Sequence, residues 1–522
     1  MEPASYWKLP GAPKRYPSLE SNLEVDAVII GGGLTGITTA YLLKEAGAKV
    51  VLVERGYCAA GDTGRTTAHL TYVTDQRLHH LVKVFGEDAA RAFWEAGAAA
   101  IDQIHDIVRI RKIDCEFKWV PGYLHGGLFD SGSKDRKSLE ADAGYARKLG
   151  FEAEFIEEVP YAKKPGVRFA HQAKFHPLKY VTSLLHAIPG NGSHLFEQTE
   201  ASEVESNPLA VRAGRYKLRC QYIVIATHNP LAGKTGLVRA TLFQTKLALY
   251  TSYVLGARVP VGTVPEALFW DTADPYYYLR TDRRADHDYI IFGGEDVKTG
   301  QEEDTRKVFA RLESRLKQVL PAAVVQDRWL GQVVQTNDGL PFIGESAGQQ
   351  FIATGFCGNG FTLGTLSAVM ARDRYLNRKN PWFDLFAVGR KQFHGGTWRY
   401  LKENLDYPYY LLRDRFAAAE SGSLDDIGAG EGKILRLGGK KVAAYRDYTG
   451  KVTLCSPVCT HLKCIVRWNA ADRTWDCPCH GSRFQPTGEV AAGPAEAPLE
   501  KLPLTQAGKE KKYQERSGHK VA

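Results

Sequence analysis

Two short stretches near the C-terminus restrict most strongly how this chain can fold. Residues 459–464 read CTHLKC and residues 477–482 read CPCHGS, so each places cysteine and histidine within a few positions of one another. Nine cysteines are present among 522 residues, and five of them lie between positions 455 and 479. The first residues lack the apolar core of a secretory signal, so we expect a cytoplasmic protein. In that compartment, clustered cysteines indicate a metal site rather than a disulfide framework.

Both stretches offer the same pair of ligands. Cys459 and His461 stand two positions apart, Cys477 and His480 stand three apart, and fifteen residues separate His461 from Cys477. Two thiolates and two neutral imidazoles are the ligands of a Rieske-type 2Fe-2S cluster. Its potential is roughly −150 to +300 mV, because histidines replace anionic thiolates. A Cys2His2 zinc site uses the same ligand types and is the alternative, although it normally closes a finger that contains a helix.

The surrounding residues also resemble a known domain. VCTHLKCIVRWN (458–469) and TWDCPCHGSRFQPTGEVAAGPA (474–495) are similar to Rieske ferredoxin domains. The two remaining cysteines, Cys464 and Cys479, sit at the same relative place in each stretch, and a disulfide between them would tie the two loops together. Two buried thiols are the alternative, because disulfides are unusual in the cytosol.

A glycine-rich turn near the start of the chain predicts a dinucleotide site. Residues 25–54 read strand, turn, helix and strand, with GGGLTG as the turn. Gly31, Gly33 and Gly36 would permit the tight turn, the approach of the pyrophosphate and the close packing of helix on strand. The helix N-terminus would attract the phosphates. Glu54, at the end of the second strand, would bind the ribose hydroxyls.

Several later segments favour FAD over NAD. GDTGRTTAHLT (61–71) follows the first turn, QYIVIAT (221–227) has the pattern of a buried parallel strand, and DGLPFIG (338–344) and ATGFCGNGFTLG (353–364) lead into a helix. In this order they resemble the superfamily of D-amino-acid oxidase, glycine oxidase and sarcosine oxidase over residues 24–376. The greatest similarity is to bacterial FAD-dependent oxidoreductases that carry a C-terminal Rieske domain.

The resemblance implies a set of FAD contacts, early and late in the chain: Gly31, Gly33, Gly36, Glu54, Arg65, Thr66, Thr67, Gly339, Gly355, Gly358, Gly360 and Thr362. FHPLKY (175–180) and FGGEDVKTG (292–300) also resemble that group. The sequence has no second GxGxxG between a strand and a helix, so we expect electrons to enter from an organic substrate rather than from a nicotinamide.

The apolar pattern predicts how these parts are arranged. Aromatic-rich runs such as KLALYTSYV (246–254) and YIIFGG (289–294) indicate an antiparallel sheet separate from the parallel one. We therefore expect an α/β FAD-binding Rossmann-like domain with an antiparallel-sheet substrate domain, followed by a small all-β Rieske domain. The predicted bounds are 1–395 for the oxidoreductase, 396–432 for a linker, 433–508 for the Rieske domain and 509–522 for a basic tail.

The presence of both cofactors in one chain predicts that electrons enter in pairs and leave one at a time. Flavin accepts two electrons at once, whereas a Rieske cluster carries one at a time. The resemblance implies an FAD-dependent oxidoreductase for CH–NH donors, which oxidises the C–N bond of an amine or amino acid. Electrons would then pass singly through the cluster to an external acceptor such as a ferredoxin, a cytochrome or a quinone.

Two alternatives stay open. One is an electron-transfer protein without turnover of a small molecule, and the other is an oxygen-using amine oxidase whose Rieske domain is structural. The net charge of +9 is spread along the chain without a stripe of basic and aromatic residues, so we expect no nucleic-acid partner. Peripheral contact with an anionic membrane surface is compatible with the basic tail.

The residues that bind the substrate are less well marked. Tyr276, Tyr278 and Arg280 would share one face of a strand. Arg280 could hold a carboxylate with two hydrogen bonds, and Tyr278 and Arg280 are the predicted catalytic residues. The alternative is an aromatic sheet surface with a surface arginine. His69 is a further candidate to approach the flavin, or an ordinary hydrogen-bonded histidine.

Overall fold

The computed structural model describes residues 5–129, 135–229, 246–347, 349–390, 409–410, 413 and 422–504. The predicted basic tail and most of the predicted linker therefore lie outside the described residues, and the domain bounds stay a prediction. The chain divides into two compact units. The second unit takes the residues from 400 onward together with two short earlier segments, Ala248–Thr251 and Val297–Val308, and the first unit takes the rest.

The helices are α1 (Leu34–Glu45), α2 (Leu78–Phe85), α3 (Glu87–Arg111), α4 (Arg136–Lys148), α5 (Pro177–Ala187), α6 (Thr305–Val319), α7 (Gly360–Tyr375) and α8 (Phe383–Phe386), with 3₁₀ turns at Asp62–Gly64 and Leu424–Asp426. The strands before residue 230 are β1 (Leu23–Glu24), β2 (Ala27–Ile30), β3 (Val50–Val53), β4 (His69–Leu70), β5 (Lys118–His125), β6 (Ala153–Ile156), β7 (Gly166–Lys174), β8 (His194–Phe196), β9 (Ala201–Ser206), β10 (Leu209–Ala213), β11 (Tyr216–Arg219) and β12 (Tyr222–Ile225). The later strands are β13 (Leu247–Val259), β14 (Leu268–Asp271), β15 (Tyr278–Arg283), β16 (Asp288–Lys298), β17 (Val324–Thr336), β18 (Phe342–Ala347), β19 (Gln350–Thr354), β20 (Gly432–Leu437), β21 (Lys440–Arg446), β22 (Val452–Cys455), β23 (Arg467–Asn469), β24 (Thr474–Asp476), β25 (Arg483–Phe484) and β26 (Val490–Ala492).

A mostly parallel sheet forms the base of the first unit. Its strand order is β18-β19-β12-β2-β3-β8, and only β18 runs antiparallel to its neighbour. Strands β2, β3 and β12 are short apolar runs that are buried throughout, as expected for a parallel sheet covered on both faces. From β2 the chain adds strands on one side and then returns through β12 on the other. This reversal creates the crevice in which such sheets bind dinucleotides.

The glycine turn after β2 needs its glycines for reasons of backbone geometry. Gly31 has φ +110°, and a Cβ there would lie 2.5 Å from the carbonyl oxygen of Ala226, which follows β12. A Cβ on Gly36 would overlap the carbonyl oxygen of Gly31. A Cβ on Gly33 would meet only Thr63 Oγ1, at 3.5 Å. Gly31 and Gly36 are thus fixed by packing within the protein, whereas Gly33 borders open space.

A second sheet is separate from the parallel one and contains strands β4 to β7 and β13 to β17. Its order is β17-β13-β16-β15-β14-β5-β7-β4, with β6 paired to β7. Strands β14 and β5 run parallel to each other. Apart from that pair the registers are antiparallel, so the predicted fold class is confirmed. A smaller sheet has the order β1-β11-β10-β9.

One detail of the predicted substrate strand is corrected. Strand β15 begins at Tyr278, so Tyr276 lies in the preceding turn and not on the strand. Asp271 holds this turn, because its Oδ1 accepts hydrogen bonds from the backbone amides of Ala273 (3.2 Å) and Tyr277 (2.9 Å). The rings of Tyr276 and Tyr278 still lie close together, with centroids 5.6 Å apart.

The second unit contains the two small sheets at the C-terminus. Strands β20, β21 and β22 form one antiparallel sheet, and strands β23 to β26 form the other. One apolar core gathers around Leu435, Val442 and Leu454, and another around Trp475 and Phe484. The region is all-β, as predicted.

No helix among the described residues is both long and apolar enough to cross a membrane.

We predict that Gly36→Ala destabilises the first unit while Gly33→Ala does not. The added methyl group at Gly36 pushes against the fixed backbone of Gly31, so the free energy of unfolding should fall by about 2–3 kcal/mol. The methyl group at Gly33 enters open space at an unstrained φ of −81°, and the change should stay within about 0.5 kcal/mol. Urea denaturation of FAD-free protein followed by circular dichroism measures both values, and equal stability of the two variants would contradict the packing argument.

Candidate functional site

The cysteine–histidine stretches form two loops of the second unit. One loop runs between β22 and β23, and the other connects β24 to β25. Each loop is closed by a backbone hydrogen bond of 2.8 Å, from Cys459 N to the oxygen of Cys464 and from Cys477 N to the oxygen of Ser482. The loop backbone therefore fixes the side chains that the sequence marked as ligands.

Across the two loops, the structure pairs the two predicted thiols with each other and the two predicted imidazoles with each other. Cys459 and Cys477 are buried, and the imidazole rings of His461 and His480 lie edge to face with centroids 5.1 Å apart. The Nδ1 atoms of both rings are buried as well. Burial lowers the pKa of His461 to about 4 and that of His480 to about 3, so both rings are neutral, the form that binds metal.

The other two cysteines of the loops are joined to each other. Cys464 and Cys479 form a disulfide with Cα atoms 6.5 Å apart. The sulfur atoms of Cys464, Cys477 and Cys479 lie within 4.8 Å of one another, and the disulfide leaves Cys477 as the thiol among them. Two thiols and two imidazoles thus remain, which is the donor set of a Rieske cluster. Residues 422–504 contain one short 3₁₀ turn and no α-helix, which disfavours a zinc finger.

Hydrogen bonds surround the thiol of Cys459. These hydrogen bonds lower the pKa of Cys459 to about 7. The largest contribution comes from Cys477, and smaller ones come from the loop backbone and Ser482. Ser482 is fully buried, and its hydroxyl also accepts a hydrogen bond of 3.1 Å from Ala495 N. Donors to a ligand sulfur stabilise its negative charge and tune the potential of an iron–sulfur cluster.

At the glycine turn of the first unit, Glu54 ties the loop to the strand ends. Its Oε2 accepts a hydrogen bond from Gly32 N and its Oε1 accepts one from Gly56 N, both at 2.7 Å. Thr63 Oγ1 accepts a bond of 3.0 Å from Leu34 N at the start of α1. The turn is therefore rigid, and the open space beside Gly33 can admit a pyrophosphate, so the residues present fit a dinucleotide.

The predicted contacts at 65–67 are held by donors from distant parts of the first unit. The carbonyl oxygen of residue 65 accepts from Trp329 Nε1 (2.9 Å), that of residue 66 from Trp7 Nε1 (2.6 Å) and that of residue 67 from Arg280 (3.1 Å). Two indoles and a guanidinium thus fix the backbone of this segment.

The later predicted contacts cluster at the start of α7. Gly339, Gly355 and Gly358 all have φ between +75° and +84°, a region that favours glycine. Gly360 is the first residue of α7, and Thr362 Oγ1 donates to the carbonyl oxygen of Thr71 at 3.0 Å. This bond links the helix to the strand region just after the early contacts.

Arg280, predicted to bind a substrate carboxylate, is instead saturated inside the protein. Its Nε and one Nη2 hydrogen point to the carboxylate of Asp282, at 3.0 and 3.2 Å. The other hydrogens point to the carbonyl oxygens of Thr67, Ala68 and Phe175, at 3.1, 2.8 and 3.0 Å. An arginine has five N–H donors, and all five of these are used.

Tyr278 and His69 lie near one another beside this arginine. The hydroxyl groups of Tyr278 and Ser252 are hydrogen-bonded at 2.8 Å, and the tyrosine ring covers Gly293, where a Cβ would overlap it. The ring of His69 meets that of Tyr278 edge-on, with centroids 5.8 Å apart. Burial, with a contribution from Arg280, lowers the pKa of His69 to about 3, so the ring is neutral and hydrogen-bonded to Thr67.

Sequence reasoning missed two carboxylates, Asp75 and Asp296. Burial raises the pKa of Asp75 to about 7, with a contribution from Asp296, and burial raises the pKa of Asp296 to about 6. Asp75 lies against Gly358 at the start of α7, and Asp296 lies on β16. The two residues are more than 200 positions apart in the chain, so no spacing rule could have joined them.

We predict that Ser482→Ala lowers the reduction potential of the cluster. The change removes a donor to Cys459, and a lost bond of about 1.4 kcal/mol corresponds to roughly 60 mV for a one-electron couple. Ser456→Ala is the matched control, because that hydroxyl accepts from the backbone amide of Val458 in the same loop. A redox titration followed by EPR gives both potentials, and an unchanged potential in Ser482→Ala would rule out this donor role.

Comparison with known proteins gives matches to both parts of the chain. Residues 26–374 match the family of FAD-dependent oxidoreductases, and residues 417–503 match the Rieske [2Fe-2S] domain. A putative Rieske 2Fe-2S iron-sulfur protein of Bacillus subtilis, YhfW, is 33% identical over 509 residues, covering 96% of this chain and 98% of that protein. Gamma-glutamylputrescine oxidoreductase of Escherichia coli is 24% identical, covering 77% of this chain and 95% of that protein.

Among solved structures, glycine oxidase from Geobacillus kaustophilus has the same fold as the first unit. The TM-score is 0.60 at 16% identity, and the match covers 71% of this chain and 100% of that one. L-proline dehydrogenase from P. horikoshii has a TM-score of 0.56 at 17% identity, covering 70% and 98%. With the glycine turn, the strand order and the Rieske donor set, these matches show that the chain belongs to the FAD-dependent oxidoreductases of the D-amino-acid-oxidase type that carry a C-terminal Rieske domain, and that it binds FAD and a 2Fe-2S cluster.

Proposed function

We propose that the protein oxidises the C–N bond of an amine or amino acid and passes the electrons singly through its Rieske cluster to an external acceptor. The observation that carries this proposal is the presence, in one chain, of a dinucleotide crevice of the amino-acid-oxidase type and a two-thiol, two-imidazole site. Bound FAD supplies acceptance of two electrons from a C–H bond next to nitrogen, and the cluster supplies one-electron transfer.

The names of the relatives support the class of substrate. Gamma-glutamylputrescine oxidoreductase, glycine oxidase and L-proline dehydrogenase are all named for compounds that carry a C–N bond next to a C–H bond. We carry over this shared chemistry and none of the individual substrates. The Rieske relatives include iron–sulfur subunits of cytochrome b6-f complexes, which supports an electron-transfer role for the second unit.

Within the proposed function, the glycines of the two turns and the segment at 65–67 bind FAD. Glu54 would exchange its bond to Gly32 N for the ribose hydroxyls, as its place at the end of β3 permits. The full set consists of the predicted contacts: Gly31, Gly33, Gly36, Glu54, Arg65, Thr66, Thr67, Gly339, Gly355, Gly358, Gly360 and Thr362. Cys459, His461, Cys477 and His480 hold the cluster, and the disulfide Cys464–Cys479 braces its two loops.

The two predicted catalytic residues take different roles in this proposal. Tyr278, whose ring packs against those of Tyr276 and His69, orients the substrate. Arg280 is a positioning residue, because its donors fix the backbone of Thr67 and Ala68 and leave none for a ligand. No proton transfer is assigned to either, since removal of a hydride from a neutral amine needs binding and orientation more than acid–base help.

We predict that one class of amine or amino acid bleaches the flavin of the holoprotein under anaerobic conditions and that the cluster is then reduced. Absorbance follows the flavin and low-temperature EPR follows the cluster. Cys459→Ser removes a cluster ligand, so the flavin should still bleach while reduction of a one-electron acceptor such as cytochrome c falls at least tenfold. Cys220→Ser, a half-buried cysteine of the first unit, is the matched control and should behave as the parent protein.

Two outcomes would contradict parts of this proposal. If the flavin bleaches while the cluster stays oxidised, the internal relay is wrong, and peroxide formed in amount equal to the substrate consumed would favour the oxidase. If no compound in a panel of amines and amino acids bleaches the flavin, the chain is an electron-transfer protein without small-molecule turnover.

A further inference from the structure

Acidic and phenolic groups from three segments of the first unit meet above the turn that precedes α7. A Cβ built on Gly358 would lie 3.1 Å from Asp75 Oδ2 and 3.5 Å from the hydroxyl oxygen of Tyr276. The carboxylate and the hydroxyl therefore face the same small volume. Tyr276 also packs against Tyr278, with ring centroids 5.6 Å apart.

A second carboxylate, Asp296, faces the same groups. Its side chain is hydrogen-bonded to Ser252, whose hydroxyl also bonds that of Tyr278, so Asp296 lies beside the packed rings of Tyr276 and Tyr278. Its charge raises the pKa values of Asp75, Tyr276 and Tyr278. Its Oδ1 atom is buried and has no hydrogen-bond partner among the described residues, while Ser252 bonds to the side chain. A buried carboxylate oxygen without a donor is costly, so this atom points to a ligand that supplies one.

The surroundings of Asp75 combine access for solvent with desolvation. Solvent reaches the Asp75 side chain, yet surrounding protein raises its pKa to about 7. An accessible group that is also desolvated lines a recess of the protein rather than a convex part of its surface. Burial likewise raises the pKa of Asp296 to about 6.

Among the described residues, no cationic side chain contributes to the pKa shifts of Asp75 and Asp296. The charges that shift the two pKa values come from Asp296 and Asp274, and both are negative. Arg280, two residues after Tyr278, spends all its donors elsewhere. A metal ion is not indicated either, because the cysteines of the second unit are the only group of three or more metal-ligand side chains within the described residues.

These features favour an organic cation. An ammonium group has three donors for two carboxylates and a phenolic oxygen, and the face of a neighbouring aromatic ring attracts it. A carboxylate would be repelled by the same groups. We propose that Asp75, Asp296 and Tyr276 bind the distal ammonium of a diamine or polyamine, whose other nitrogen is attached to the carbon that is oxidised.

This inference rests on the proposed function and narrows it. Gly358, beneath the Asp75 carboxylate, belongs to the proposed FAD contacts, so the acidic groups lie at the cofactor side of the first unit. An amine bound there needs no carboxylate of its own, which agrees with the saturation of Arg280.

Matched ligands test the proposal by binding to the oxidised holoprotein under anaerobic conditions. 1,4-Diaminobutane, butylamine and 4-aminobutanoate have the same chain length and differ only at the distal group. We expect isothermal titration calorimetry to give a Kd for the diamine, or for its best homologue of three to eight carbons, at least tenfold below that of the matching monoamine. The amino acid should bind more weakly than the monoamine.

Conservative variants identify the residues responsible. Asp75→Asn and Asp296→Asn keep the shape and remove the charge, so each should abolish the tenfold preference for the diamine. Asp106→Asn, which removes an exposed carboxylate on α3, is the matched control and should keep it. FAD content and melting temperature show whether each variant is folded. Desolvation of the ionised carboxylates destabilises the folded protein at pH 8, so neither Asn variant should melt at a lower temperature than the parent protein.

The outcomes separate this inference from the proposed function. Equal binding of diamine and monoamine, or a preference that survives both Asn variants, would overturn the inference. If an α-amino acid or a simple monoamine bleaches the flavin while no diamine is preferred, the inference fails and the proposed function stands. If diamines bind with the expected preference and no compound bleaches the flavin, the site stands and the proposed oxidation fails.

We also predict that diamine binding tightens as the pH rises from 6 to 8. Asp75, with a pKa of about 7, and Asp296, with a pKa of about 6, both gain negative charge over this range, while aliphatic ammonium groups stay protonated. Tyr276 and Cys357, which also face Asp75, have raised pKa values and stay neutral. The Kd should fall roughly tenfold, as expected for a group with a pKa of about 7. Asp75→Asn should flatten this dependence, and a flat profile for the parent protein would contradict the proposed contact.

Discussion

A buried ion pair on β15 is the interaction on which the packing of this strand against residues 67 and 68 depends. Arg280 and Asp282 are both almost fully buried, and Lys174 adds a second cation 2.6 Å from Asp282. Burial raises the pKa of Asp282, but the two cations outweigh it and bring it down to about 2. Removing one partner of such a pair leaves an uncompensated charge and costs roughly 3–5 kcal/mol. Through the carbonyl oxygens of residues 67 and 68, the same arginine fixes the segment proposed to bind FAD.

Local patterns predicted the parts of the molecule whose geometry is set by a few adjacent residues. The strand–glycine–helix unit and the two loops of cysteine and histidine are of this kind, because their turns and ligand spacing depend on residues that are adjacent in the sequence. The role of Arg280 was not predictable in this way, since its acceptors at Thr67 and Phe175 are brought to it by the sheet. Asp75 and Asp296 were missed for the same reason: burial and mutual repulsion, which make them unusual, arise only in the folded chain.

The two units differ in how they make charge tolerable. In the second unit, burial keeps the imidazoles of His461 and His480 neutral. Arg483 is buried between Asp472 and Asp476, so the charge of this arginine is matched by neighbouring carboxylates. In the first unit Arg280 is matched as well, but no cation of the described residues acts on Asp75 or Asp296. This excess of desolvated negative charge, beside ion pairs that are compensated elsewhere in the chain, is the reason for proposing a ligand there.

The unmatched carboxylates also bear on the history of the family. Two desolvated acids reduce the stability of the empty protein, so stability alone favours their replacement by neutral side chains. Selection for a ligand that neutralises them would oppose this replacement. In a lineage that had changed its substrate, these two positions would drift first, while the glycine turn and the cluster loops stayed fixed. Aspartates at both positions would therefore mark descent with an unchanged substrate more reliably than overall sequence identity.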